Sequence, residues 1–382
     1  MSRKNQIVWW VVTAVFLVVI AALYFLNMLA GMDGLLLCAF YLIIFQIRIK
    51  KQGYFDDYIS RESTVAINGI FIMLILFTHA HGYMDVTPDN MPIFYIFRGH
   101  CRQLVVTTFL FFSGYGVMES IQKKGATYVK SMPYKRVFAL WLRFAIAVCI
   151  FLVIALWSGQ RITVGRFISS LLSWDQIGNS NWYVTAILAL YLIAFFAFWA
   201  FGEQSQRMAV CISIGLTFVF LIILIHFRGS DTWYYNTIFC FPAGMVFSLC
   251  RKRFEEMVQY SKVSWWTSFV ISLLIFFMTY SICDNYSQYW NLFWYQIMCI
   301  SFVIVIVILV MKVKIGNGIL TFLGGEMLFS IYILMRAPMN VLSESALHLT
   351  PSVFFVLSVA ITLVVAWIFT KLTGKLVKTI IR

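Results

Sequence analysis

Asn68 and His79 stand eleven residues apart inside a run, 65–84, that is apolar enough to cross a bilayer. At 100° per residue their side chains differ by about 20° and lie roughly 16 Å apart along the axis. One helix face therefore carries a polar group at each end. An ionisable side chain inside a span marks function by default, because charge and unpaired polarity are costly in hydrocarbon. Histidine is the side chain whose ordinary pKa lies nearest neutrality, so His79 is a candidate for proton chemistry. His81 points about 200° away and cannot share that cavity on a regular helix. His100, His226 and His348 read as interfacial residues.

Two arginines fall inside apolar runs, where a central charge costs roughly 3 kcal/mol unless it snorkels or finds a partner. Arg143 lies near a basic end, within reach of the surface, of Glu119 or of a phosphate-bearing ligand; Arg336 is deeper and suits a polar cavity. Ser113 follows an aromatic pair in Phe111-Phe112-Ser113-Gly114-Tyr115-Gly116. The basic series Lys123, Lys124, Lys130, Lys135 and Arg136 could hold phosphates. Orientation in the membrane explains it equally well. Glu326 and Asp284 look like helix-end residues, and no cysteine or histidine spacing suggests a metal.

The elements that must position these groups are membrane helices. The chain is 62% hydrophobic and 12% charged, with a mean hydropathy of +0.87, outside the range of soluble domains. Runs near 7–29, 33–48, 65–84, 103–121, 137–157, 182–201, 208–227, 233–250, 264–282, 292–311, 319–341 and 352–371 predict an all-α polytopic membrane protein of about twelve transmembrane helices. Most Lys and Arg residues fall on one side of this arrangement, with Arg98, Arg102, Arg161, Arg166 and Arg228 on the other. The bias predicts that both termini are cytoplasmic. The net charge of +14 then serves orientation and anionic-lipid contact and implies no nucleic-acid partner.

The first run is too long for a cleaved signal and reads as a retained helix. The charged segment after Lys50 separates an N-terminal hairpin, 1–52, from a ten-helix core, 61–372, and a basic tail, 373–382. Two long outer loops, 85–102 and 158–181, are expected to carry acceptor-binding surface or short interfacial helices. Gly69, Gly114 and Gly116 permit close helix approach. The eight cysteines are expected as apolar fillers, with no Cys101–Cys283 disulfide.

INGIFIMLILFTH (67–79), TFLFFSGYGVMES (108–120) and YKRVFALWLRF (134–144) together resemble the opening of the acyltransferase-3 family of integral-membrane O-acyltransferases. Asn181-Trp182-Tyr183, Phe241-Pro242-Ala243-Gly244-Met245 and Ser330 to Leu334 leading to Arg336 are further echoes. The resemblance covers about 61–372, with the ten spans the family uses. It implies an enzyme of the EC 2.3.1 type in a bacterial plasma membrane. Such an enzyme moves an acyl group, commonly acetyl, from cytoplasmic acyl-CoA to a hydroxyl of an extracytoplasmic or lipid-linked carbohydrate. His79 would be the base, Ser113 and Arg336 its catalytic companions, and Asn68, Lys135, Arg136 and Arg143 donor contacts.

The chain departs from the family pattern at two places. The family's basic residue before the histidine is Asn68 here, and Ala139 and Leu142 occupy the positions of its second-loop Arg and Pro. A transporter of a lipid-linked glycan, with His79, Arg143 and Arg336 lining a path, and a non-catalytic scaffold are the alternative readings. Acceptor-dependent CoA release separates them from the enzyme.

Overall fold

The computed structural model describes residues 3–380 except 102, 203, 286, 287 and 316, with backbone alone at 3–5, 284, 285 and 288–290. Arg102, Arg382 and the Asp284 side chain thus lie outside the described residues. The chain is an all-α membrane protein. Its helices are α1 (Arg3–Phe25), α2 (Gly31–Ile44), α3 (Arg61–Ala80), α4 (Pro92–Cys101), α5 (Leu104–Met132), α6 (Ala139–Trp157), α7 (Val164–Leu171), α8 (Trp182–Phe201) and α9 (Gln206–Arg228). There follow α10 (Cys240–Gln259), α11 (Lys262–Asn285), α12 (Gln288–Val310), α13 (Gly318–Leu323), α14 (Leu328–Leu334), α15 (Arg336–Ser343) and α16 (Pro351–Ile380).

Eight helical stretches among the described residues are long and apolar enough to cross a membrane; one of them, Leu104–Trp157, covers two of the predicted runs. α2 and the α14–α15 segment are shorter apolar helices. The run predicted at 319–341 is divided into α13, α14 and α15. Gly324-Gly325 separates the first two, and Met335 the last two. Pro338 explains the second break, because it has no N–H to give the Leu334 carbonyl four residues earlier. The two long loops, 85–102 and 158–181, carry two short helices, α4 and α7. No disulfide forms among the described residues.

The chain divides into two compact units. The first comprises 1–51, 57–105 and 313–368; the second comprises 52–56, 106–312 and 369–382.

In the first unit α3 is central: 67% of its most apolar window is buried, against none of α1. Ile67, Phe71, Ile72, Leu74, Ile75 and Leu76 fill its core-facing sides. Ser60 starts the helix by accepting from the Ser63 N–H at 3.3 Å. Lipid supplies no hydrophobic drive for helix pairing, so close approach depends on small residues. A Cβ on Gly69 would sit 1.8 Å from the Leu320 carbonyl oxygen, and one on Gly324 1.9 Å from that of Val65. The turn between α13 and α14 therefore packs directly on the α3 backbone. Asn317 caps α13 by accepting from Leu320 N–H at 2.9 Å and donates to the Leu42 carbonyl at 2.8 Å. Two short strands, β1 (Arg48–Ile49) and β2 (Val313–Lys314), pair antiparallel, with Arg48 opposite Lys314. Asp57 and Lys314 form an ion pair beside them.

In the second unit the same device joins α5 to α10. A Cβ on Gly114 would lie 1.9 Å from the Phe241 carbonyl oxygen, and one on Gly244 2.0 Å from that of Phe111. Gly116, expected to do likewise, faces open space. α5 breaks at Gly125, where φ is 55° and ψ is −141°, values open to glycine but strained for other residues.

Candidate functional site

His79 lies in the last turn of α3, half-buried, and the chain continues as a single tighter turn through Tyr83. The Arg336 guanidinium is near enough to the His79 ring to act on it electrostatically. Arg336 Nε donates to the Tyr83 hydroxyl oxygen at 3.1 Å, and that hydroxyl donates to Asn340 Oδ1 at 2.5 Å. The guanidinium carbon also lies 5.9 Å from the Tyr83 ring centre, within cation–π range. Two four-residue spacings thus interlock: His79 with Tyr83 on one segment, Arg336 with Asn340 on the other.

Tyr83 and Asn340 are the residues that sequence reasoning missed. Their signal was available, because each stands one helical turn after a group already singled out. Tyr83 is in turn backed by Phe354, ring centres 5.9 Å apart, and Phe77 packs on Phe355 at 4.2 Å. The first turn of α16 thereby braces the segment that carries His79. Phe94 of α4 lies 6.5 Å from the His81 ring and 6.2 Å from Phe77. His81 faces α4, consistent with its 200° separation from His79.

At the other end of the α3 stripe, the Asn68 amide oxygen is buried with no hydrogen-bond partner. An unsatisfied buried acceptor costs roughly 1–3 kcal/mol, so one in a close-packed helix calls for a functional explanation. On the adjoining side, Gly69 makes the backbone contact with Leu320.

The other residues marked from the sequence belong to the second unit. Ser113 of α5 hydrogen-bonds the Tyr191 hydroxyl of α8. Arg136 lies within electrostatic reach of Tyr191 and donates through Nε to the Tyr128 hydroxyl at 3.0 Å. Arg136 sits on a widened helical turn, Pro133–Phe138, beside the exposed Lys135. Arg143 is half-buried one to two turns further along, in α6. Glu119 engages other groups: it accepts from Ser248 Oγ at 2.8 Å and lies 3.9 Å from the Lys123 ammonium. Arg251 links α10 to α5 by donating to the Tyr115 hydroxyl at 2.8 Å and also pairs with Glu255.

A family model described as an acyltransferase domain matches residues 66–371. The chain belongs to the acyltransferase-3 family. The match includes the α3 stripe, the Ser113 and Arg136 cluster and the Arg336 segment, so it spans every residue described above as a candidate. This membership makes the chain a membrane acyltransferase. No curated protein and no solved structure matches it.

Other echoes of the acyltransferase-3 pattern have structural work to do in this member. Asn181 Nδ2 lies within 2.9–3.0 Å of the carbonyl oxygens of Ser173, Trp174 and Asp175, while its Oδ1 accepts from the Tyr234 hydroxyl at 3.0 Å. It ties the 173–181 loop to the start of α8. Arg228 is held between the rings of Trp174 and Tyr234, 4.2 Å from each centre, and donates to the Trp174 carbonyl.

Proposed function

We propose that this protein is an O-acyltransferase, most simply an O-acetyltransferase, of a bacterial plasma membrane. It takes an acyl group from cytoplasmic acyl-CoA and delivers it to a hydroxyl of an extracytoplasmic or lipid-linked carbohydrate. The observation that carries this reading is His79 within electrostatic reach of Arg336, whose guanidinium is held by the Tyr83 hydroxyl.

The neutral imidazole of His79 accepts the proton of the sugar hydroxyl as its oxygen attacks the thioester carbonyl carbon. Charge develops on the carbonyl oxygen, and Arg336, already oriented by Tyr83 and Asn340, stabilises it without reorganising. Ser113 is the second donor of this reading. Collapse re-forms the carbonyl and breaks the carbon–sulfur bond. The departing thiolate takes the proton from the imidazolium, leaving an ester, free CoA and neutral His79. Lys135, Arg136 and Arg143 hold the donor's phosphates, for which guanidinium and ammonium groups are suited, and the unsatisfied Asn68 oxygen accepts from an amide of the donor arm. The ten-helix core at 61–372, the two-helix N-terminal addition and cytoplasmic termini complete the proposal.

The test is acceptor-dependent CoA release by the purified chain in lipid, with acetyl-CoA, a panel of sugars and His79→Ala in parallel. Loss of at least about a hundredfold in the variant, with folding intact, is expected for removal of a general base. Equal transfer by the variant would overturn the role of His79. Absence of donor turnover and of donor binding under every condition would favour a glycan transporter.

A further inference from the structure

The N-terminal hairpin does not pack flat against the rest of its unit. Between α1, α2 and the start of α16 lies an open apolar groove of about 500 Å³, bounded by Leu17, Ile20, Leu35, Cys38, Val353 and Val356. Its size is that of a ligand cleft. Its walls offer almost no polar surface. Tyr24 and Phe25 also border a second cavity of about 500 Å³, whose walls are polar and include Asn27, Asp33, Asp89 and Asn90. An open apolar groove therefore shares its aromatic rim, Tyr24 and Phe25, with a polar mouth. That is the profile of a lipid with a hydrocarbon tail and a hydrogen-bonding head.

Charge narrows the occupant. Among the described residues, neither cavity is lined by lysine, arginine or histidine, and the mouth contains Asp89. A phosphate head would meet a carboxylate with no cation to offset it. An uncharged polyol meets acceptors and amides that suit hydroxyl groups. Asp33 is buried, and its Oδ1 accepts from the Phe94 N–H at 2.8 Å, which caps α4.

We infer that these cavities bind a neutral glycolipid, with one hydrocarbon tail in the apolar groove and its sugar in the polar mouth. Its service as the acyl acceptor rests on the function proposed above; its binding does not. α16 separates the tail from the reacting groups: Val353 and Val356 face the groove, whereas Phe354 and Phe355 pack on Tyr83 and Phe77. The mouth adjoins Pro92 at the start of α4, whose Phe94 reaches the His81 ring. The hairpin thus acts as a holder for the acceptor's anchor beside the segment that carries His79.

The experiment uses the full chain in bilayers containing equal fractions of a monoglucosyl diacylglycerol, phosphatidylglycerol and phosphatidylcholine. Protein is extracted in a sugar-free detergent, and retained lipids are quantified by mass spectrometry. The wild type is expected to retain the glucolipid about tenfold over phosphatidylglycerol. Ala21→Trp, which fills the groove from α1, excludes the tail and loses that enrichment. Val356→Trp fills it from α16 and controls for a folding defect in the first variant. Asp89→Lys at the exposed mouth shifts retention towards phosphatidylglycerol. Equal retention of all three lipids by the wild type, or unchanged retention in both filled variants, overturns the site.

Transfer assays separate the two proposals. With acetyl-CoA, Ala21→Trp should raise KM for the glucolipid and leave transfer to soluble methyl glucoside unchanged. Glucolipid binding with no acylation of any acceptor sinks the enzymatic reading and leaves the site standing. Acylation of soluble sugars without glucolipid retention does the reverse.

Discussion

The Tyr83 hydroxyl stands between Arg336 and Asn340, accepting from the first at 3.1 Å and donating to the second at 2.5 Å. One oxygen thereby fixes the direction of the cation that acts on His79.

Tyr83→Phe keeps the ring against Phe354 and removes only that oxygen. Loss of a hydrogen bond to a charged group is worth roughly 1.5–3 kcal/mol. If the bond positions Arg336 for the transition state, kcat should fall at least about tenfold while KM for the donor stays within about twofold. Steady-state kinetics of CoA release check this. A fall in thermal stability with kcat unchanged would mean that Tyr83 only braces the helices.

Gly69→Ala and Gly116→Ala should behave oppositely. The new methyl at residue 69 falls 1.8 Å from the Leu320 carbonyl oxygen, with no flexible side chain to move aside, whereas that at residue 116 meets open space. Overpacking of this kind costs about 1–3 kcal/mol or more. Gly69→Ala is expected to lower the thermal midpoint and the yield of monodisperse protein. Gly116→Ala should match the wild type in fluorescence-detected size exclusion.

Asn181→Ala removes one side chain from three loop carbonyls and from Tyr234. Carbonyls left buried without a donor destabilise by about 1–3 kcal/mol in total once the loop relaxes towards water. Faster amide exchange across residues 173–181, with α3 unchanged, is the expected readout. Arg228→Lys should loosen the same loop, because an ammonium cannot stack between Trp174 and Tyr234 as a planar guanidinium does.

The Asp57–Lys314 pair gives an acid-dependent term. The hydrogen bond from Lys314 is the largest influence on Asp57 and holds its carboxyl below the usual carboxylate range. A depressed folded-state value stabilises above the unfolded value of about 3.9, and the gain is lost as pH falls through the folded value. Asp57 is half-exposed, so solvent screens the pair and Lys314→Met should cost only about 0.2–1 kcal/mol at pH 7. The difference from wild type should shrink below about pH 4 and be weaker in high salt. Thermal unfolding across pH 3–7 measures both.

The polar stripe on α3, the intramembrane Arg336 and the membrane class were legible because hydropathy and helical period are local properties. Arg336 was visible as a charge in the wrong solvent, and Tyr83 and Asn340 each stood one turn after a marked residue, but that their two segments meet was not visible. Gly69 and Gly116 are indistinguishable in sequence, and only the presence of Leu320 beside one of them separates their roles. The 319–341 run has the composition of a single span, yet Gly324 packing on α3 and Pro338 denying Leu334 a donor divide it into pieces. The groove behind the hairpin has no local signature, because a side chain facing a void and one facing lipid are equally apolar.

Composition and periodicity alone established an all-helical membrane protein with His79 at one end of a polar stripe, and the motifs at 67–79, 108–120 and 134–144 added the resemblance to the acyltransferase-3 family. Each of those features is set by residues within a few turns of one another. The company that His79 keeps, the helix crossings at Gly69 and Gly114 and the groove under α16 were decided by tertiary contacts between segments up to some 340 residues apart. Hydrocarbon shows no preference among apolar faces, so pairing falls to close backbone approach and a few polar bonds. A one-dimensional pattern records neither.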